Sequence, residues 1–250
     1  MTKLSVNVNK IATLRNTRNL EIPSLVRLSA IALDAGANGI TVHPRPDQRH
    51  IRPHDVDALA KLVSSYPQAE YNIEGNPFHG LVEHCERVRP QQVTLVPDAR
   101  EAFTSNHGWN LVELDKQSQL ALANTIEALH KLGARVSLFL DPVVEMMPVA
   151  RGLGADRVEL YTEPYAAAML TGKGAESIVT YSKAAAAARS SGLGVNAGHD
   201  LNLQNLAEFL KEVDAVDEVS IGHALIADAL EFGLADTVRR YLAECSVAPR

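Results

Sequence analysis

Several residues in this 250-residue chain have the types and spacing for chemistry. The stretch "TVHPRPDQRH", 41–50, packs His43, Arg45, Arg49 and His50 into the place where an alternating run ends. "YNIEG" carries Asn72 and Glu74, and "RVELYT" carries Glu159. The pairs Gly198-His199 and Gly222-His223 close two further runs, "GVNAGH" and "EVSIGHA". Burying such histidines and glutamates is costly unless they are paired, so several of them at strand ends mark a candidate active site. Arginine forks onto two phosphate oxygens, and glycine lets backbone N–H groups approach one closely. The set predicts an active site with places for phosphate.

These residues need a frame that gathers them. Eight strand-like runs recur along the chain, at 4–9, 39–44, 69–75, 91–97, 135–141, 157–162, 194–199 and 218–224. Segments of helical periodicity lie between most of them: "PSLVRLSAIALDAGA" stops at Gly36, "TIEALHKLGA" stops at Gly133, and "ALIADALEFGLADTVRRYLAEC" reads as one long or two short helices. Strand–helix alternation implies parallel strands, and eight such units in 250 residues match a single-domain (β/α)8 barrel spanning 1–250. The alternative, an open doubly wound sheet, usually carries a glycine-rich turn after its first strand, and "VNVNKIATLRN" has none. The 98–118 stretch after the fourth strand is a candidate lid, and "MLTGKGAES" reads as a loop interrupting the sixth helix.

Alternation then assigns faces. Outward positions of a barrel strand must be apolar to meet the helices, so the polar alternate positions point inward. They are Ser5, Asn7 and Asn9; Thr41 and His43; Asn72 and Glu74; Ser137 and Asp141; Glu159; His199; and His223. Most fall at the last positions of a strand, the face on which barrel enzymes build active sites. Gly198-His199 and Gly222-His223 lie where this fold often holds a phosphate. Arg45 and His50, with Thr104 or Ser105, form a second candidate anion site, and Arg18 is a candidate from a loop folding over the mouth.

Composition sets limits. The chain is 46% hydrophobic and 22% charged with a net charge of −6, which argues against a nucleic-acid or anionic-membrane surface. No apolar run approaches the ~20 residues of a membrane span. "MTKLSVNVNK" lacks the apolar stretch of a secretory signal, and Cys85 and Cys245 read as free thiols. A soluble, cytoplasmic protein is expected.

Taken in order, "VNVNKIATLRN", "GITVHPRPDQRHI", "YNIEG", "LVPDAR", "SLFLD", "VELYT", "VNAGHDL" and "IGHALI" resemble the pyridoxine 5′-phosphate synthase family, from about Ser5 to Tyr241. The H-x-R-x-D-x-R-H-I and N-A-G-H blocks are the most specific. The resemblance implies a (β/α)8 barrel assembled as a homo-octamer. It also implies a ring-closing condensation of 3-amino-2-oxopropyl phosphate with 1-deoxy-D-xylulose 5-phosphate, giving pyridoxine 5′-phosphate, phosphate and water. No external cofactor or metal is implied, since the aminoketone's own amine forms the imine.

Carried over by motif, the family's bases fall on His43 and Glu74, its acid on His199 and its stabilising carboxylate on Glu159. Asn7, Arg18, Gly198, Gly222 and His223 match the aminoketone-phosphate positions, and Arg45, His50 and Ser105 match those for the pentulose phosphate. The family's familiar N-x-D-H-I-A pattern departs here to Asn7-Val8-Asn9-Lys10-Ile11-Ala12. Asn9 can bond a substrate hydroxyl but cannot act as a base, and Lys10 adds a charge within reach of a phosphate. Glu163 stands where a glycine is commoner. Three rival readings are an aldolase using Lys10 as Schiff-base nucleophile, a divalent-metal site at His43, Glu74, His199 and His223, and a non-catalytic barrel that binds phosphometabolites.

Overall fold

Eight runs of alternating character become eight parallel strands in the computed structural model, which describes residues 1–100 and 105–247. The strands are β1 (Lys3–Asn7), β2 (Gly39–Val42), β3 (Glu70–Gly75), β4 (Gln92–Leu95), β5 (Arg135–Leu140), β6 (Arg157–Tyr161), β7 (Gly194–Gly198) and β8 (Glu218–Ile221). Each pairs with the next in chain order, and β8 pairs with β1 through Leu4↔Val219 and Val6↔Ile221, which closes the barrel.

Eight helices follow the strands around the outside: α2 (Leu25–Asp34), α3 (Pro53–Val63), α4 (Leu81–Val88), α5 (Lys116–Lys131), α6 (Met146–Gly152), α8 (Gly174–Ser190), α9 (Leu206–Glu212) and α11 (Leu234–Cys245). Three more, α1 (Asn9–Asn16), α7 (Glu163–Leu170) and α10 (His223–Phe232), lead directly out of strand ends. The final helical segment is thus two helices, divided at Gly233, whose φ of +78° suits glycine. The predicted loop within the sixth helix shrinks to the three residues between α7 and α8. No helix among the described residues is long and apolar enough to cross a membrane.

The apolar core is a ring. Leu4, Val6, Ile40, Val42, Ile73, Val93, Leu95, Val136, Leu138, Val158, Leu160, Val195, Ala197 and Val219 are fully buried in one cluster with helix residues such as Leu59, Ile126, Ala184 and Val238. Alternate strand residues line the bore, and their hydrogen bonds show it. Thr94 on β4 reaches Glu159 on β6, Gln92 on β4 reaches Glu218 on β8, and Glu74 on β3 meets Ser220 on β8. These strands are not neighbours, so the bonds cross the interior. Near the strand starts the bore is charged, with Arg135 binding Glu70 and Gln92 while Arg157 binds Asn196. Above this the chain Ser5–Thr41–Asn72–Thr94 is neutral. Such groups stand the loss of water because they bond one another.

Strand one ends sooner than its alternation suggests. The Asn7 carboxamide accepts the Asn9 amide at 3.0 Å and turns the chain into α1, so Asn9 and Lys10 form a helical first turn rather than a strand end.

Candidate active site

The C-terminal ends of the strands gather most of the predicted residues. Glu74 near the end of β3 and Glu159 on β6 are both buried. Burial, then the negative charges of Glu159 and Asp98, holds the Glu74 carboxyl well above the usual carboxylate range. Burial, then Glu218, pushes Glu159 up to about 8, against the hydrogen bond from Thr94. Two carboxyl groups that resist ionisation together share the cost by holding a proton, as like charges at one dry site must. Asn7 Nδ2 reaches Glu74 Oε2 at 3.4 Å, which ties β1 to this pair. Gly198 is needed beside it, because a Cβ there would stand 2.5 Å from Glu159 Oε1.

Three histidines stand at the same ends of the barrel strands. His43 follows β2, its amide held by Asn9 Oδ1 at 3.0 Å. Burial pulls its imidazole down to about 3, with Asp98 opposing and Arg45 assisting. His50 lies 6.3 Å from it, ring to ring, and burial, then Arg45, lowers it to about 4. Its Nδ1 accepts the Ile51 amide at 2.9 Å, which leaves the proton of the neutral ring on Nε2. His199 follows β7 with φ +82°, and its ring packs 5.3 Å from both Phe139 and Tyr161. Burial lowers its pKa as well.

The remaining predicted residues divide. Arg45 and Ser105 come together, both buried, on the carboxylate of Asp98. Gly222 caps α10 against Asn7, and His223 opens that helix on the exposed rim. Lys10 is exposed, yet its charge lowers both His50 and His199, which puts it over the mouth. Arg18 stands on the exposed turn after α1, apart from the buried rim residues. Asp141, expected inward, instead accepts the Gly108 amide at 3.3 Å. Thr104 lies outside the described residues. Within the candidate lid, Trp109 is pinned by bonds to Phe139 and Leu95.

Sequence reasoning passed over four contributors. Asp98 was visible in "LVPDAR" but carried no strand-end alternation. Thr162 is fully buried, and its hydroxyl, with one hydrogen to give, lies within bonding distance of both the Gly198 and His199 carbonyls. Phe139 and Tyr161 occupy inward positions, two residues on from Ser137 and Glu159, and escape a search for polar groups alone. Among the described residues no three His, Cys, Asp or Glu side chains are grouped to hold a metal ion.

The arrangement offers proton donors and acceptors of two kinds around one mouth, with cationic and glycine-lined margins. Comparison with known proteins gives it a context. The family model described as pyridoxal phosphate biosynthesis protein PdxJ matches residues 4–247. Pyridoxine 5′-phosphate synthase of Albidiferax ferrireducens is 54% identical over 248 residues, covering 96% of each chain. The enzyme of that name from Porphyromonas gingivalis is 50% identical over 241 residues, covering 96% of this chain and 98% of its own. A solved Mycobacterium tuberculosis tryptophan synthase superposes with a TM-score of 0.66 at 10% identity, covering 99% of this chain and 93% of that one, a likeness of fold alone.

Proposed function

The chain belongs to the pyridoxal phosphate biosynthesis protein PdxJ family, and from that premise we infer that it makes pyridoxine 5′-phosphate. It joins 3-amino-2-oxopropyl phosphate to 1-deoxy-D-xylulose 5-phosphate and releases phosphate and water. The observation that carries the reading is the set of four buried titratable groups at one rim, His43, Glu74, Glu159 and His199, each pushed toward its uncharged form.

Imine formation, dehydration, phosphate loss and ring closure all move protons. Burial makes a glutamate a stronger base once ionised and an imidazolium a stronger acid once protonated. This supports Glu74 as a base and His199 as an acid. His43 serves as the second base. Two substrate phosphates bring negative charge to the mouth, and nearby negative charge raises an imidazole pKa. Substrate binding therefore restores basicity to His43 that burial removes. Positive charge developing on the imine nitrogen favours the ionised form of Glu159, whose carboxylate then stabilises it.

The aminoketone phosphate sits against Gly198, Gly222, His223 and Asn7, with Arg18 reaching in from the turn after α1. The first turn of α10 offers backbone N–H groups there. The pentulose phosphate sits against Arg45, His50 and Ser105, with Asn9 and Lys10 beside its hydroxyls. A Schiff-base lysine requires a desolvated pocket, and the exposure of Lys10 disfavours the aldolase reading.

Assembly as a homo-octamer is supported by where apolar surface is left. Leu170 on α7 and Leu230 on α10, 90% and 80% exposed, are among the most exposed large apolar side chains of the described residues, and both lie on helices additional to the barrel.

The test is direct. Purified protein and both substrates should give pyridoxine 5′-phosphate, read by absorbance and mass, and Glu74→Gln and His199→Asn should abolish it. Binding of both substrates with no product would leave a phosphometabolite-binding barrel instead.

A further inference from the structure

The proposed pentulose-phosphate ligands already hold an anion. Arg45 Nη1 lies 2.6 Å from Asp98 Oδ2, and the Ser105 hydroxyl donates to the same oxygen at 2.7 Å. Arg45 Nη2 also donates to the Ala99 carbonyl at 3.3 Å. The three side chains belong to residues only 4–6% exposed, so bulk water does not compete for the contacts. The Asp98 backbone is fixed in turn, its carbonyl accepting Asn76 Nδ2 at 3.1 Å.

A serine hydroxyl has one hydrogen, and a phosphate dianion only accepts. Ser105 therefore cannot donate to Asp98 and to a phosphate at once. Arg45 has donors enough for both, but a phosphate beside Asp98 would set two anions together where little water screens them. Leaving Arg45 with no anion is also costly, because a buried guanidinium without a partner is an uncompensated charge.

We propose that Asp98 is a specificity-determining residue of the pentulose site: its carboxylate occupies the substrate phosphate's place on Arg45 and Ser105 and is exchanged for that phosphate on binding. The proposal rests on Arg45 and Ser105 being the pentulose-phosphate ligands. A phosphate carries more charge and more acceptor oxygens than a carboxylate, so it displaces Asp98 where a weaker anion does not. The site thus tests its ligand for a phosphate.

Isothermal titration of the whole protein with 1-deoxy-D-xylulose 5-phosphate tests this, with unphosphorylated 1-deoxy-D-xylulose as the second probe. Asp98→Asn keeps the size and an accepting oxygen but removes the charge. It should bind the phosphorylated sugar roughly tenfold more tightly, a change of about 1.4 kcal/mol, and the unphosphorylated sugar as before. Equal or weaker binding of the phosphorylated sugar overturns the exchange. Tightening shared by the unphosphorylated sugar overturns it too. Arg45→Gln separates the two levels. Weakened binding in Arg45→Gln with no gain in Asp98→Asn refutes the exchange alone, whereas unchanged binding in Arg45→Gln refutes the ligand assignment and the exchange with it. Should Asp98→Asn fail to fold, a crystal structure of the unaltered protein with the phosphorylated sugar decides. Asp98 is expected to have left both Arg45 and Ser105, and a complex that keeps both contacts overturns the proposal.

Discussion

The hydroxyl of Thr162, just beyond β6, lies 2.5 Å from the carbonyl oxygen of His199 and 2.6 Å from that of Gly198. The turn after β7 is therefore held by a side chain from the neighbouring strand. His199 and Asp200 are both non-glycine residues at positive φ, +82° and +59°, a conformation that costs of order 1–3 kcal/mol per residue unless the surroundings enforce it. Thr162→Val removes the hydroxyl at nearly constant volume. We expect kcat to fall roughly 10- to 100-fold through misplacement of the imidazole, with KM for both substrates nearly unchanged. Thr162→Ser should retain activity. Steady-state kinetics of the two variants check this, and a Val variant with full kcat would show that the hydroxyl is dispensable.

Glu159 makes stability depend on pH. Its folded pKa of about 8 lies above the ordinary 4.5. The folded state thus binds the proton more tightly, and the stability linked to it is fully present below about 4.5 and lost as pH rises through 8. Melting temperature should decline between about pH 4.5 and 8, and Glu159→Gln, which cannot ionise, should lessen that decline. Calorimetry across this range measures it. A domain of this size shifts by roughly 2–4 °C for each kcal/mol.

Much of this was legible in the sequence, and the gaps have physical causes. Eight alternating runs define the barrel because helix-facing residues such as Val6, Ile40 and Val158 must be apolar. The same rule puts Glu74 and Glu159 in the bore. It fails at Asn9, because a side chain bonding two residues along can end a strand that alternation would continue. It is silent on Thr162, whose partners are backbone carbonyls of a distant segment, and on Asp98, whose partner Arg45 follows a different strand and meets it only in the folded barrel. Phe139 and Tyr161 read as core, and only their packing against His199 shows otherwise.

A buried ion pair holds the loop that carries His50. Arg15 on α1 bonds both oxygens of Asp55 on α3, at 2.5 and 2.8 Å, and its Nη2 reaches the His50 carbonyl at 3.3 Å. Arg15→Met would leave the Asp55 carboxylate buried without its cation and should destabilise the fold by about 3–5 kcal/mol. The double variant Arg15→Met/Asp55→Asn should lose less, since no bare charge remains and the Asn oxygen can still accept the Arg52 amide that caps α3. Urea denaturation of the single and double variants gives both values.

Assembly is testable at the accessory helices. Leu170→Glu or Leu230→Glu places a charge on apolar surface that is exposed in the single chain. On the proposed octameric assembly, either should reduce the sedimentation coefficient toward smaller species while leaving the far-ultraviolet circular dichroism of the barrel intact.

Along each strand, selection acts on two interleaved texts. Odd and even positions answer to different demands, because one set packs against the helices while the other faces the bore. A change on the inner row alters the bonds that cross the bore, while a change on the outer row alters the packing against the helices. The Asn9-Lys10 pair belongs to neither row: it sits on a helical turn, where Asn9 Oδ1 holds the His43 amide.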